Sequence, residues 1–319
     1  MRPAHPLLDA AVLAAIEHAA SEHRGRRWAV LGFSDLNDRA SHPCGILHGT
    51  PFSVFAKLGA AGARDELGTD ARDRFAAELA GLRLLSRAAR VPVPVPVAGG
   101  LAELGSGVLL LYEALTERPP QARGRRDWRS IGQVLATLHQ AGHARFGLDG
   151  PRGFFGPLPQ DNRPVPANRW ADFYRDRRLL PRLRAAVDSG HLPPDLAAGI
   201  DRVAARLPDL AGPEPRPSLL HGDAQQHNFV STPSGTVVID AAPYYGHPEA
   251  DLALVDYFDP VPDELFAAYR DIAPIDPGFA GRRELWRLAA YLAVVAVDGH
   301  GPFGRRYLGR LADAIRLYR

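Results

Sequence analysis

Apolar positions in the first third of the chain follow two different periods, and the change of period marks out the elements. Residues 1–20, MRPAHPLLDAAVLAAIEHAA, carry apolar side chains at helical spacing and are broken by Asp9 and Glu17. That pattern predicts a helix and is unlike the uninterrupted apolar stretch of a signal peptide. Residues 28–33, 45–48 and 52–58 are short apolar runs that predict strands, with Gly49-Thr50-Pro51 as a turn between the second and third. Thr69-Asp70 then gives an N-cap signal, followed by Phe75, Leu79, Leu82 and Leu85 at helical spacing with Glu78 among them. Residues 91–97 alternate apolar positions with three prolines, which forbids a helix and favours an extended edge. A buried strand over 108–112 and a connector over 113–120 close this part.

Beyond Arg126 the period is mostly helical, over 127–141, 168–189, 193–207, 249–258, 262–272 and 282–297. Strand signals recur only at 219–220 and within 229–239. The expected fold class is therefore α+β and two-lobed: a small β-rich lobe over 1–112, a hinge over 113–120 and a larger, mainly helical lobe over 121–319, with a cleft between them.

Composition narrows the choice of partner. The 38 basic residues against 36 acidic ones, net +2, exclude a dedicated nucleic-acid binder. One cysteine, Cys44, allows no internal disulfide and fits a reducing compartment, so a cytoplasmic location is expected. No apolar run approaches the roughly 20 residues of a membrane span. Among the 38 basic residues, Lys57 is the only lysine. A chain that otherwise uses arginine for every cation has one position, on a predicted strand, with a compact ammonium on a flexible stem.

The densest chemistry lies in residues 218–240, SLLHGDAQQHNFVSTPSGTVVID. His221-Gly222-Asp223 is followed five residues later by Asn228, and a hairpin around Pro-Ser-Gly ends at Asp240. If 229–232 pair with 236–239, Asn228 lies opposite Asp240, and an amide oxygen and a carboxylate converge at the hairpin base. Such a pair suits Mg²⁺, which takes one or two protein oxygens and completes its shell with water and phosphate. Asp223 can then accept the proton of a hydroxyl attacking an in-line phosphate. The spacing is that of the protein-kinase catalytic loop, and Val54-Phe55-Ala56-Lys57 matches the kinase strand whose lysine meets the α- and β-phosphates of ATP. Glu78, on the next helix, stands in the right order for the ion pair that positions this lysine. A phosphate-covering loop is expected over 32–39; it lacks the usual glycines and offers Ser34 and Asn37 instead. His139 and His143 lack the glutamate and third ligand of a zinc site and are taken as structural, as is His221, a support for the loop. No G-x-S-x-G of a serine hydrolase is present.

With these residues in place, the chain resembles the fructosamine kinases (ketosamine 3-kinases), within the aminoglycoside phosphotransferase-like group of small-molecule kinases that share the protein-kinase-like fold. The likeness extends to AAPYYGHPEADLAL over 241–254, FAAYRDIAPIDPGF over 266–279 and the stretch 153–179, and covers much of the chain from about Leu79 onward. It implies ATP- and Mg²⁺-dependent phosphorylation of the 3-hydroxyl of a ketoamine formed by glycation. By position it implies Asp223 as catalytic base, Asn228 and Asp240 as metal ligands, Lys57 with Glu78 as the ion pair, and Glu113 to Leu115 as the hinge that meets adenine. Asp251 would brace the catalytic loop. Gln225, His247 and Glu249 are the candidate acceptor contacts, and the partner is a small sugar or glycated amine bound by a monomer or weak dimer. Three departures are visible: Gln225-Gln226-His227 stands where the family usually has Trp-Ser-Gly, Ala241 replaces the proline after the metal aspartate, and the phosphate loop lacks its glycines. Two alternatives follow. One is an antibiotic or natural-product O-phosphotransferase, with Glu249 and Asp256 as acids for a cationic acceptor. The other is a catalytically weak, pseudokinase-like module.

Overall fold

The computed structural model describes residues 5–37, 42–60, 70–150 and 153–318. Asp9 caps α1 (Ala10–Arg24), its carboxylate accepting from the Ala11 and Val12 amides. A five-stranded antiparallel sheet follows, built from β1 (Gly32–Asp35), β2 (Cys44–His48), β3 (Val54–Ala60), β4 (Pro96–Leu104) and β5 (Gly107–Glu113) in the order β1-β2-β3-β5-β4. Between β3 and β4 runs α2 (Ala71–Ala89), capped by Asp70; Thr69, the other residue of the predicted cap, lies outside the described residues.

The sheet's two faces are assigned by simple alternation. Leu109 and Leu111 of β5, with Val54 and Ala56 of β3, pack under Val12, Ile16 and Trp28 in a small core on one face. Val108, Leu110 and Tyr112 face the other way, onto Phe75, Leu79 and Leu82 of α2 and the main core. Lys57, directly across from Leu110 and Cys44, therefore projects on the α2 side. The proline-rich segment leads into an edge strand as expected, but that strand begins at Pro96 and continues to Leu104. A break in register between Pro96 and Leu101 accommodates Gly99 and Gly100, both at positive φ. Strand β1 is shorter and later than expected, since Trp28 is held by Ser21 and Phe52 outside the ladder.

The remainder is mainly helical. It contains α3 (Arg125–Gln140), the hairpin β6 (Gly153–Phe155) and β7 (Leu158–Gln160), then α4 (Trp170–Tyr174) and α5 (Leu180–Asp188) joined by a π turn over 175–179, and α6 (Pro194–Leu210). Next come β8 (Ser218–Leu220), the hairpin β9 (Phe229–Thr232) and β10 (Gly235–Val238), β11 (Tyr244–Gly246) paired with β8, and four helices. These are α7 (Pro248–Leu252), α8 (Asp263–Arg270), α9 (Phe279–Asp298) and α10 (Pro302–Leu317). The helix expected over 249–258 stops after Leu252, and α10 and the β6–β7 hairpin lie outside the expected elements. Helix α3 ends at Gln140, and the His143 ring beyond it stacks on Tyr245. Among the described residues no helix is long and apolar enough to cross a membrane.

Candidate active site

The loop between β8 and β9 is held by backbone constraints that only certain residues satisfy. Gly222 has φ +82°, and a Cβ there would meet the Ala242 carbonyl oxygen at 1.9 Å, so glycine is required on both counts. Asp251, 1% exposed on α7, accepts from the His221 amide at 2.6 Å and the Gly222 amide at 3.0 Å. Its outer side meets His139 Nε2 at 3.2 Å, and His139 Nδ1 meets the Tyr269 hydroxyl at 2.8 Å. His221 bridges the loop to the hairpin: its Nδ1 accepts from the Asp223 amide at 3.2 Å and its Nε2 donates to the Ile239 carbonyl at 3.1 Å. Burial lowers its pKa below the usual histidine range, and the neutral ring is the form that can accept at one nitrogen and donate at the other. The Arg123 guanidinium donates to the Gln226 and Phe229 carbonyls from below.

The hairpin register differs by one residue from the expected one. Thr232 pairs with Gly235 and Phe229 with Val238, so Pro233-Ser234 forms a two-residue loop and Asn228 lies across from Ile239. Asp240 falls just beyond the ladder, at φ +50°, and turns its carboxylate toward the sheet. There Lys57 Nζ lies 2.5 Å from Asp240 Oδ1 and 2.9 Å from Glu78 Oε2. Burial alone disfavours the ammonium, but the two carboxylates outweigh it and raise the Lys57 pKa. Burial, with Asp240 nearby, pushes the Glu78 carboxyl up against the pull of Lys57, whereas at Asp240 the lysine outweighs burial and the carboxylate stays ionised.

All of this opens on one cavity of about 980 Å³ between the sheet and the helices, within the range of sites for cofactors and drug-sized ligands. Lys57, Glu78, Asp223, Asn228 and Asp240 line it together, as do Gln225, Glu113 and Leu115. Asn228 Nδ2 donates to the Asp223 carbonyl at 2.8 Å, which fixes the amide and leaves its Oδ1 for another partner. With Asp240 Oδ2 not engaged by Lys57, the pair presents two hard oxygen donors, a set that fits a magnesium ion completed by water and phosphate. Among the described residues no group of three or more His, Cys, Asp or Glu side chains could hold a metal. Burial pushes the Asp223 carboxyl up to about 7, Asp240 adding to the rise and the Gln225 amide, at 3.2 and 3.3 Å, opposing it. At the cavity's inner edge the Glu113 and Ala114 amides are spent on the Val95 and Ser53 carbonyls. The Leu115 amide donates to no backbone carbonyl among the described residues.

Four expected contacts are corrected. Ser34 Oγ bonds His48 Nε2 at 2.8 Å and ties β1 to β2, Asn37 Oδ1, just past β1, accepts from the Cys44 amide at 2.9 Å at the start of β2, and neither lines the cavity. Asp38 and Arg39, of the same expected loop, lie outside the described residues. His247 caps α7, accepting from the Glu249 amide, and its ring is buried against Trp170 and Trp286. Its pKa is pushed down to about 4 by that burial. Glu249 is 2% exposed and takes Arg282 at 2.6 and 2.9 Å and the Trp286 indole at 2.8 Å. The short helix after β11 thus turns both residues into the core. Asp256 is likewise occupied, by Arg283 and Arg287. Glu249→Gln is expected to cost about 3 kcal/mol by breaking a buried pair, lowering Tm by roughly 6–12 °C. The KM values stay where they were, and steady-state kinetics beside a thermal melt checks both. Conversely, Phe258, Asp259 and Phe303 line the cavity and had no sequence signal for that role.

Comparison with known proteins places the chain among relatives. The family model for fructosamine kinase matches residues 13–317. A probable ketoamine kinase of Synechocystis is 35% identical over 217 residues, 67% of this chain and 70% of its own length. A probable ketoamine kinase of Escherichia coli K12 is 31% identical over 243 residues, covering 75% and 81%. Among solved structures, a provisionally named fructosamine-3-kinase from Thermobifida fusca superposes with TM-score 0.77 at 30% identity, over 95% of this chain and 99% of its own. An aminoglycoside phosphotransferase bound to ADP and hygromycin B shares the fold, with TM-score 0.62 at 17% identity over 95% and 98%. A chain that matches this family model over residues 13–317, and shares its scaffold with a solved structure at 30% identity, belongs to the fructosamine kinase family of phosphotransferases.

Proposed function

We propose that this chain transfers the γ-phosphoryl group of ATP, with Mg²⁺, to a sugar hydroxyl of a ketoamine. Residues 1–112 serve as the nucleotide lobe, 113–120 as the hinge and 121–319 as the catalytic and acceptor lobe. The observation that carries the reading is the meeting, in one 980 Å³ cavity, of the Lys57–Glu78 pair from the sheet side with Asp223, Asn228 and Asp240 from the helical side. Lys57 holds the α- and β-phosphates and is itself positioned by Glu78. The Leu115 amide is left to meet adenine. Asn228 and Asp240 would hold the magnesium ion, which when bound neutralises charge on the phosphates. Asp223 accepts the acceptor's hydroxyl proton, and burial near neutral pKa gives it the basicity for that task.

A coupled ADP-release assay with Mg-ATP tests this, comparing fructoselysine and ribuloselysine with an aminoglycoside and macrolide panel and using Asp223→Ala protein as background. Turnover on the ketoamines is expected, abolished by chelation of the metal. Turnover confined to an antibiotic would move the chain to the natural-product phosphotransferases, and ADP release no faster than in the Asp223→Ala background would sink the assignment of a working kinase.

A further inference from the structure

The cavity has a second wall that the phosphoryl-transfer residues do not use. Phe258, Asp259 and Phe303 line it, and Phe258 and Asp259 lie beside the Gln225–His227 segment. Phe303 stands in the first turn of α10 and is 55% exposed, an unusual condition for a phenyl ring at the mouth of a cavity. Tyr307, one helical turn on and on the same face, is fully buried, with its ring 6.4 Å from that of Phe258. The Phe258 ring is in turn 6.5 Å from His227 and 4.9 Å from Tyr257. Gln226 Nε2 donates to the Asp259 carbonyl at 3.1 Å, which ties this wall to the loop that carries Asp223. The wall is therefore placed by the same loop that places the proposed base. The exposed Asp259 has no ion-pair partner among the described residues, and the cavity's described cations, Lys57 and Arg74, stand on β3 and α2, on the sheet side.

An acceptor whose sugar hydroxyl sits at Asp223 must direct its nitrogen substituent away from the phosphates. Resting on the kinase reading above, we propose that Phe258, Phe303 and the Asp259 carboxylate form the subsite for that substituent and select a flexible aliphatic stem ending in a positive charge. Methylene groups lie along the two phenyl rings, and the terminal ammonium meets the ring faces and the carboxylate. Gln225 does not compete for this space, because its amide is turned onto Asp223.

Three acceptors separate the contributions: 1-amino-1-deoxyfructose, its N-butyl derivative and its N-(4-aminobutyl) derivative. In the parent protein kcat/KM is expected to rise in that order, mainly through KM. Phe303→Ala should lower the ratio of kcat/KM for the aminobutyl acceptor to that for the bare sugar amine by about tenfold, the scale of a lost cation–π and apolar contact, and the ratio for the butyl acceptor by less, the apolar contact alone. Asp259→Asn should remove the preference for aminobutyl over butyl while keeping that for butyl over the bare amine. Ratios unchanged in Phe303→Ala, or a parent that treats all three acceptors alike, would overturn the subsite while leaving the kinase standing. A parent that phosphorylates none of the three overturns the ketoamine reading, and the subsite falls with it. Phe303 is exposed enough for its truncation to spare the fold, and a melt of the variant verifies this.

Discussion

Asp223→Asn lowers kcat by about a thousandfold, the middle of the range for loss of a positioned general base, and leaves ATP affinity within a few-fold of the parent. The second half of that expectation follows from geometry. The Asp223 carboxylate takes the Gln225 amide, at 3.2 and 3.3 Å, with the Asn228 side chain close by, whereas the loop's scaffolding runs through the Asp223 backbone: its amide to His221 and its carbonyl to Asn228. Asparagine keeps every one of those backbone contacts. Thermal stability supplies an independent sign. Because burial pushes the carboxyl up to about 7, the folded state at pH 8 holds a charge it would bind better as a proton, a cost absent from the unfolded chain. Removing the charge should therefore raise Tm while activity collapses, a combination that simple misfolding cannot produce. Single-turnover kinetics, nucleotide titration and a melt of the same preparation test all three. A kcat within tenfold of the parent would remove Asp223 from the proton's path.

The parts of the site that were legible in the sequence are those whose geometry is local or ordered along the chain. Asp223, Asn228 and Asp240 are separated by one turn and one hairpin, so almost any folding of that segment keeps them together. Lys57 and Glu78 are a strand residue and a residue on the following helix, and the alternation of β3 leaves Lys57 no face but the one toward α2. Even there the observed register differs by one from a Pro-Ser-Gly turn, because Pro233-Ser234 suffices for the turn and Gly235 joins the strand. The tighter turn places Asp240 outside the ladder, where a left-handed backbone frees its carboxylate to reach Lys57.

Residues whose role depends on tertiary direction were not legible. His247 and Glu249 lie in a motif close to the site in sequence, but a five-residue helix points them into the core, where Arg282 and two tryptophans absorb them. Ser34 and Asn37 had suitable chemistry, yet an exposed edge strand and the turn after it consume short polar side chains on their own neighbours. Phe303 shows the opposite failure. Phe303, Tyr307, Leu311 and Ile315 do repeat every four residues, so the helix could have been read, but nothing in that repeat tells which residue clears the core and reaches a cavity built by distant segments.

Asp251→Ala is expected to cost about 3–5 kcal/mol, since it strips the acceptor from buried donors while leaving those donors in place. At roughly 2–4 °C per kcal/mol for a protein of this size class, Tm falls by on the order of 10 °C. The His221 and Gly222 amides lose their only described partner, and His139 keeps just the Tyr269 hydroxyl. Gly222 is already confined by its contact with Ala242 and its positive φ, so the relaxation passes outward through the peptide that carries Asp223. A displacement of an ångström at a reacting group can cost about a hundredfold in rate. The expected signature is thus a large loss in kcat with the KM for ATP little changed, because Lys57 and Glu78 are anchored on the sheet and on α2, away from the disturbed loop. Asp251→Asn should recover only part of the stability: one of its two positions becomes an NH₂ that faces an amide donor instead of accepting from it. Equal stability of the asparagine variant and the parent would show that the charge and the second acceptor do not hold the loop, and would transfer that task to His221 and Arg123.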